Sequence, residues 1–358
     1  MMILEEFSED GCMQTVGRTI MATIKDVARL AGVSVTTVSI IMNGKAEERK
    51  ISEPTRERVL QVMKELEYQP NLSARRLRFQ ESKKPVIAFY WPLDYRTTIL
   101  AAFLNALQVE IKRLNFDCEL VVQTYTNDYL EEDAAALIKN NFNGVIIGAM
   151  SEKDLEYLEQ LSPQMPVVLI NRQSEHFSTV CTNHEEIGFQ AARLFRQKGY
   201  TEVTVIAAEH SYVATGLRTQ AFLHACTQLG IQVQAEHILK GPSTIEGGYQ
   251  TAKRYCQLPD APKAIFCDTD SMAIGSLAAL HQHQLRVPED IEILTIAMLA
   301  EDNTAYTIPP LSVINMPNKE MITYAIGILI DKMASNDLSA THIDVETALI
   351  LRDSFRLA

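Results

Sequence analysis

Seven short apolar runs, spaced by segments with helical periodicity, leave this chain few ways to fold. "PVIAFYW" has the length and continuity of a buried strand, and "DCELVVQTY", "GVIIGA" and "PVVLIN" follow it as further strands. Between them, "ILAAFLNALQVEIKRLN", "EEDAAALIKN" and "KDLEYLEQL" place apolar residues at helical spacing. Strands alternating with helices make a parallel sheet, because parallel neighbours need a long crossover. A second series repeats the pattern, with strands "VTVIAA", "KAIFCD" and "IEILTIA" and helices "EEIGFQAARLFRQKG", "RTQAFLHACTQLG" and "DSMAIGSLAALHQH". Two α/β lobes are expected, and 358 residues are enough for both and a small module besides.

That module is legible at the other end. In "TIKDVARLAG", Thr23 can cap a helix with Asp26 closing the box, and Ile24, Val27, Ala28 and Leu30 form an apolar stripe running into Gly32. Ser34 then caps a second helix that turns Val38 and Ile41 inward and leaves Thr36, Thr37 and Ser39 outward. The short break with its Gly has the length of a helix-turn-helix. A third helix, "SEPTRERVLQVMKELEYQP", starts at Ser52 with Pro54 early, carries Val59, Val62, Met63 and Leu66, and stops at Pro70. Pattern alone admits either DNA binding or a small protein-binding bundle.

Charge permits the first. Residues 21–80 hold 11 Lys/Arg against 7 Asp/Glu, a net of +4, inside a chain whose formal charge is -12. A locally basic end on an acidic body suits contact with a polyanion by that end only. "YQPNLSARRLR" reads as a basic linker helix.

Other function classes are poorly served. The longest apolar runs, such as residues 326–330, are too short to cross a bilayer, and Glu5, Glu6, Glu9 and Asp10 stand where a secretory signal needs a basic start. Six Cys without a C-x-x-C pair point to a reducing compartment rather than a disulfide framework. No G-x-G-x-x-G after the first strand, G-x-x-x-x-G-K-[ST], H-E-x-x-H or G-x-S-x-G is present. His281 and His283 diverge on a helix, and Asp268 and Asp270 have no identifiable nucleophile. An enzyme, a metal site and a cofactor are therefore not expected.

"TIKDVARLAGVSVTTVSIIMNG", "SEPTRERVLQVMKELEYQPNLSARRLR" and the downstream order of segments resemble the LacI/GalR family of bacterial transcriptional regulators, from Thr23 onward. The resemblance implies an N-terminal all-α helix-turn-helix DNA-binding domain with a hinge helix, followed by a two-lobed α/β effector domain like the periplasmic binding proteins. It divides the chain into an extension at 1–20, with Met21 as the natural start, the DNA-binding domain at 21–68, the hinge at 69–83 and the effector and dimerisation domain at 84–358. The chain is expected to cross between lobes three times, giving a first lobe of about 84–174 plus 300–315 and a second of about 175–299 plus 316–358.

By the same resemblance the second helix enters the major groove, with Val35 and Thr36 reading base edges, and Ser34, Thr37 and Ser39 near phosphates. Thr23 and Asn43 join this set. Ile40 stands where the common pattern has Arg, so it packs on a thymine methyl or on the protein itself. In the hinge, Leu77 would be the minor-groove wedge, Ala74 its close neighbour, and Asn71 and Arg75, with Arg76 and Arg78, the polar fringe.

The effector would lie between the lobes. Trp91, Tyr95 and Arg96 follow the first strand, Arg218 matches the family's cleft arginine, and Thr269 and Asp270 match its Asn-Asp, with helix capping as the other role for Asp270. Asn183 either adds polarity to the cleft or caps the helix after it. Leu299 falls where many sugar-binding relatives have Asp, which weakens a simple sugar reading. The function implied is a cytoplasmic homodimeric repressor that binds double-stranded operator DNA and responds to a small polar effector, a sugar or sugar phosphate by family frequency. An activator, an effector-independent regulator and a solute-binding protein are the alternatives.

Overall fold

The computed structural model of the protein describes residues 24–42, 49, 51–66, 84–94, 96–134, 137, 142–209, 213–299 and 301–356. The chain separates into two compact units, Met1–Glu81 and Ser82–Ala358.

The first unit holds three described helices, α1 (Ile24–Ala31), α2 (Val35–Met42) and α3 (Glu53–Glu65). α1 ends where Gly32 takes φ +64, a conformation that costs a side chain but not Gly. The Val33 amide then donates to Ala28 O at 3.0 Å and the Gly32 amide to Arg29 O at 3.3 Å, satisfying carbonyls the helix end leaves open. This turn swings α2 across α1. Val27, Ala28, Ala31, Val38, Ile41 and Val59 are buried together at the centre, with Val33, Val35, Val62, Met63 and Leu66 packed around them.

The second unit contains two six-stranded sheets. The first comprises β1 (Val86–Pro92), β2 (Glu119–Tyr125), β3 (Gly144–Gly148), β4 (Val167–Ile170), β5 (Ser178–Cys181) and β11 (His342–Asp344), in the order β11-β5-β4-β3-β1-β2, all parallel. Alternation along β1 sends Ile87, Phe89 and Trp91 to one core and Ala88 and Tyr90 to the other. Helices α4 (Thr97–Arg113), α5 (Leu130–Asp133) and α6 (Glu152–Glu159) connect these strands.

The second sheet comprises β6 (Thr204–Ala208), β7 (Ile238–Gly241), β8 (Ala264–Cys267), β9 (Glu292–Ala297), β10 (Ser312–Asn315) and β12 (Ala348–Ile350), ordered β12-β10-β9-β8-β6-β7. Only β12 runs antiparallel to its neighbour. Its helices are α7 (His184–Gln197), α8 (Val213–Gln228), α9 (Ile245–Tyr255), α10 (Asp270–Gln282) and the short α11 (Asp302–Ala305). The last helix, α12 (Asn318–Ser335), packs Met321, Ile322, Ala325, Ile326 and Leu329 into the core of the first sheet.

The lobe boundaries therefore differ from those expected. β5 pairs with β4, which carries the first lobe past Ser174 to Cys181. Residues 300–315 do not return to the first lobe, because β10 pairs with β9 in the second sheet. The second and third crossings fall between Asn315 and Asn318 and between Asp344 and Ala348, so α12 and β11 belong to the first lobe. The apolar run at 326–330 is buried helix, and no helix among the described residues is long and apolar enough to cross a membrane.

Candidate functional site

Two places present side chains that the folding of their units does not consume. The first is the outer face of α2. Ser34 starts this helix by accepting the Thr37 amide on its Oγ at 3.0 Å, and the two hydroxyls lie 2.9 Å apart. Thr36 is exposed, while Val35 is half-buried against the three-helix core. Ile40, one turn after Thr36, is half-buried and lies outside that core cluster, so it shares the outer face. Thr23, Asn43, Asn71, Ala74, Arg75 and Leu77 lie outside the described residues, as does the side chain of Ser39.

The second place is a cleft between the two sheets, at the carboxyl ends of their strands, enclosing a cavity of about 100 Å³. Trp91, Arg96, Arg218, Thr269 and Asp270 all line it, so the topology brings together residues spread over 180 positions of sequence. Tyr95 lies outside the described residues. Asn183 is elsewhere: it is exposed and accepts the Glu186 amide at 3.0 Å as the cap of α7, facing a different cavity. A side chain at a helix start satisfies that open amide, which is the capping role for Asn183.

Each cleft residue is held differently. Arg96 is buried, paired with Asp94 through its Nε at 2.9 Å, and stands 5.9 Å from the Trp91 ring centre. Trp91 Nε1 is buried without a partner. Arg218 is 0% exposed, yet its nearest described partners are Thr215 Oγ1 at 3.1 Å and the thioethers of Met298 and Met316 at 3.5 and 3.9 Å. Its Nε has no partner. Burial brings the guanidinium down to about 10, against the opposing pull of Asp268 and Asp270, so it stays charged at neutral pH.

Asp270 opens α10 and accepts the amides of Met298, Leu299 and Ser271 at 3.0, 2.8 and 2.9 Å, which ties the loop after β9 to the cleft. Burial raises its carboxyl to about 6 against those bonds, and does the same to Asp268, which accepts the Ala208 amide. Thr269 precedes α10 and lies 3.4 Å from the Ser243 hydroxyl.

Sequence inspection missed Arg172. It is the second residue after β4, is buried, and donates to Met150 O through Nε at 2.7 Å and to Asn171 O through Nη1 at 2.5 Å. Desolvation, and after it the nearby Arg96 and Arg218, bring it down to about 10. Its signal was available: a charged residue immediately after "PVVLIN" sits at a strand's carboxyl end, where such lobes bind ligands.

His184, first in α7, is pushed down to about 4 by burial and by Arg218 and Arg172. A depressed histidine supports folding above its unfolded value of 6.5, and that support is lost as pH falls toward 4. Asp268 and Asp270, being raised, act in the opposite direction between their ordinary 3.8 and about 6. The expected result is thus a difference: stability of the native chain minus that of His184→Gln should fall by about 3 kcal/mol from pH 7 to 4. Urea denaturation at both pH values measures it, and parallel profiles would reject a buried neutral imidazole.

Comparison with known proteins is in line with this geometry. The family described as "Bacterial regulatory proteins, lacI family" matches residues 23–71, and "Periplasmic binding protein-like domain" matches residues 192–355. The chain is 27% identical to the "Probable HTH-type transcriptional repressor ExuR" of Bacillus subtilis (strain 168), covering 94% of this chain and 99% of that protein. It is also 27% identical to the "HTH-type transcriptional repressor PurR" of Mannheimia succiniciproducens, with the same two coverages. Among solved structures, a LacI family transcription regulator from Clostridium acetobutylicum superposes with a TM-score of 0.72 at 33% identity, over 75% of this chain and 100% of that one.

Proposed function

Given that the chain belongs to the LacI family of bacterial regulatory proteins and is a transcriptional repressor with an effector-binding domain, we propose that α2 reads its operator and that the cleft around Arg218 holds its effector. The effector is a small polar molecule derived from carbohydrate metabolism, and its occupancy of the cleft sets operator affinity. The observation that carries this reading is the buried, carboxylate-free Arg218 in the same cleft as Thr269 and Asp270.

On the DNA side, Thr36 and Ile40 meet base edges, and Ser34 and Thr37 lie toward the backbone at the helix start. Residues 69–83 form the hinge, with Leu77 wedged in the minor groove and Asn71, Ala74 and Arg75 around it. Two chains place two reading helices on a near-palindrome, in the cytoplasm where that DNA lies. No reaction is assigned to the cleft.

Selection from random duplex DNA tests the operator reading and should return a two-fold-related motif; the absence of any symmetric enrichment would sink it. On the selected site, Leu77→Ala should weaken specific binding more than non-specific binding, by about tenfold or more, since it removes a wedge and no charge. Arg75→Ala should instead flatten the salt dependence. Equal specific and non-specific losses for Leu77→Ala would contradict the wedge.

A further inference from the structure

The cleft's charges are unevenly matched. Three guanidiniums line it, Arg96, Arg172 and Arg218, and among the described residues only Arg96 has a carboxylate within ion-pair distance. Arg172 is held by main-chain carbonyls, and Arg218 by a hydroxyl and two thioethers, which are weak acceptors. Asp270, the carboxylate among the residues lining the cavity, spends its oxygens on three amides. Leu299, across the same cleft, presents no acceptor.

Donors, by contrast, are abundant. Arg218 Nε and Trp91 Nε1 are buried without partners, and both residues line the cavity. α4 and α10 also begin at its wall, near Thr98 and Asp270, turning the positive ends of two long helices toward it. A neutral polyol could use the hydroxyls and the amide that also line the cavity, Ser243, Thr269 and Asn171 among them, but would leave the charges of Arg172 and Arg218 unmatched. An anion needs only donors and positive charge.

We propose that the cleft takes an anion, a small molecule bearing a carboxylate or a phosphate, held between Arg172 of the first lobe and Arg218 of the second. This rests on the reading of the cleft as the effector site and gives that site its charge preference. One arginine comes from each lobe, so the bound anion draws the lobes together and stabilises the closed arrangement over the open one, which is what a ligand must do to shift a conformational equilibrium.

The test uses the full chain at fixed ionic strength, with calorimetry and thermal shift against glucose, glucuronate and glucose 6-phosphate, ribose and ribose 5-phosphate, and inorganic phosphate and acetate as head groups alone. At least one anion should raise the melting temperature and bind about 100-fold more tightly than its neutral counterpart. Comparison of the carboxylate with the phosphate on one ring separates the two sources of charge. Arg172→Gln should lower the affinity by about tenfold or more. Since Arg172 also anchors two carbonyls, Leu299→Asp serves as the second variant: it sets a negative charge on the cleft wall without removing an anchor, and should weaken the same anion by a similar factor. Equal binding of glucose and its anions, or no stabilisation by any anion in the panel, overturns the proposal. An anion that binds as described and leaves operator affinity unchanged overturns the regulatory reading alone.

Discussion

Arg218→Met should melt higher than the native chain and lose its response to effector. The side chain it replaces is a fully buried cation with no ion pair among the described residues, bonded to one hydroxyl and two thioethers and only partly offset by the charges of Asp268 and Asp270. Desolvating an unpaired charge is costly, and exchanging buried ionic groups for apolar ones of similar volume is often neutral or stabilising by about 1–4 kcal/mol. Methionine suits the place, because Met298 and Met316 already supply a soft, polarisable surround. Effector affinity should drop by about 100-fold, the worth of a charge-assisted bond left unmade. Urea unfolding of the second unit and effector titration read the two effects separately. A variant destabilised by several kcal/mol would make Arg218 a structural anchor and remove it from the effector's account.

The second large effect concerns the packing of α9 on α10, which sets Ser243 beside Thr269 on the cleft wall. The two helices meet at glycines. A Cβ at Gly275 would stand 1.9 Å from Ile245 O and 2.6 Å from Tyr249 N, and one at Gly248 would stand 2.2 Å from Met272 O. All of these are backbone atoms and cannot rotate away. Gly275→Ala should therefore cost about 3 kcal/mol or more as the helices are forced apart. Gly327→Ala in α12 provides the contrast, since nothing lies within 4 Å of its Cβ position. That change should stabilise by about 0.5–1 kcal/mol through helix propensity. Denaturant midpoints of the two variants decide the matter, and equal stability of Gly275→Ala and the native chain would show that the helices do not meet as described.

Local pattern carried the strands and helices that have strong periodicity. The apolar continuity of β1, β3, β4, β6, β8 and β9 is visible because each is buried on both faces, and the second helix of the DNA-binding unit is visible from Ser34 and Gly32. What local pattern could not carry was pairing across long separations. β5 is four residues, two of them hydroxylated, and becomes a strand by lying between β4 and β11, the latter 160 positions further on. β10 lies in the second lobe, α12 and β11 in the first and β12 in the second again, and nothing within any one segment says to which sheet it belongs. That is why the crossings were displaced.

The cleft was legible in part for a related reason. Arg96, Thr269 and Asp270 follow recognisable strands and Arg218 has a recognisable surrounding motif, whereas Trp91, expected after the first strand, lies within β1. Arg172 also follows a strand, but an arginine at a strand end is ordinary until its burial and lack of a carboxylate are known. Asn183 showed the converse: a polar residue near the cleft in sequence was taken by the start of α7.

The central claim is that occupancy of the cleft and affinity for the operator are coupled in one molecule. Operator binding measured by fluorescence anisotropy, with and without a saturating concentration of the anion that most stabilises the chain, tests this most directly. The account predicts a shift in operator Kd of about 5- to 150-fold, the range of an ordinary coupling free energy, in the native chain and none in Arg218→Met. An operator Kd that stays the same while calorimetry shows the cleft filled would contradict it.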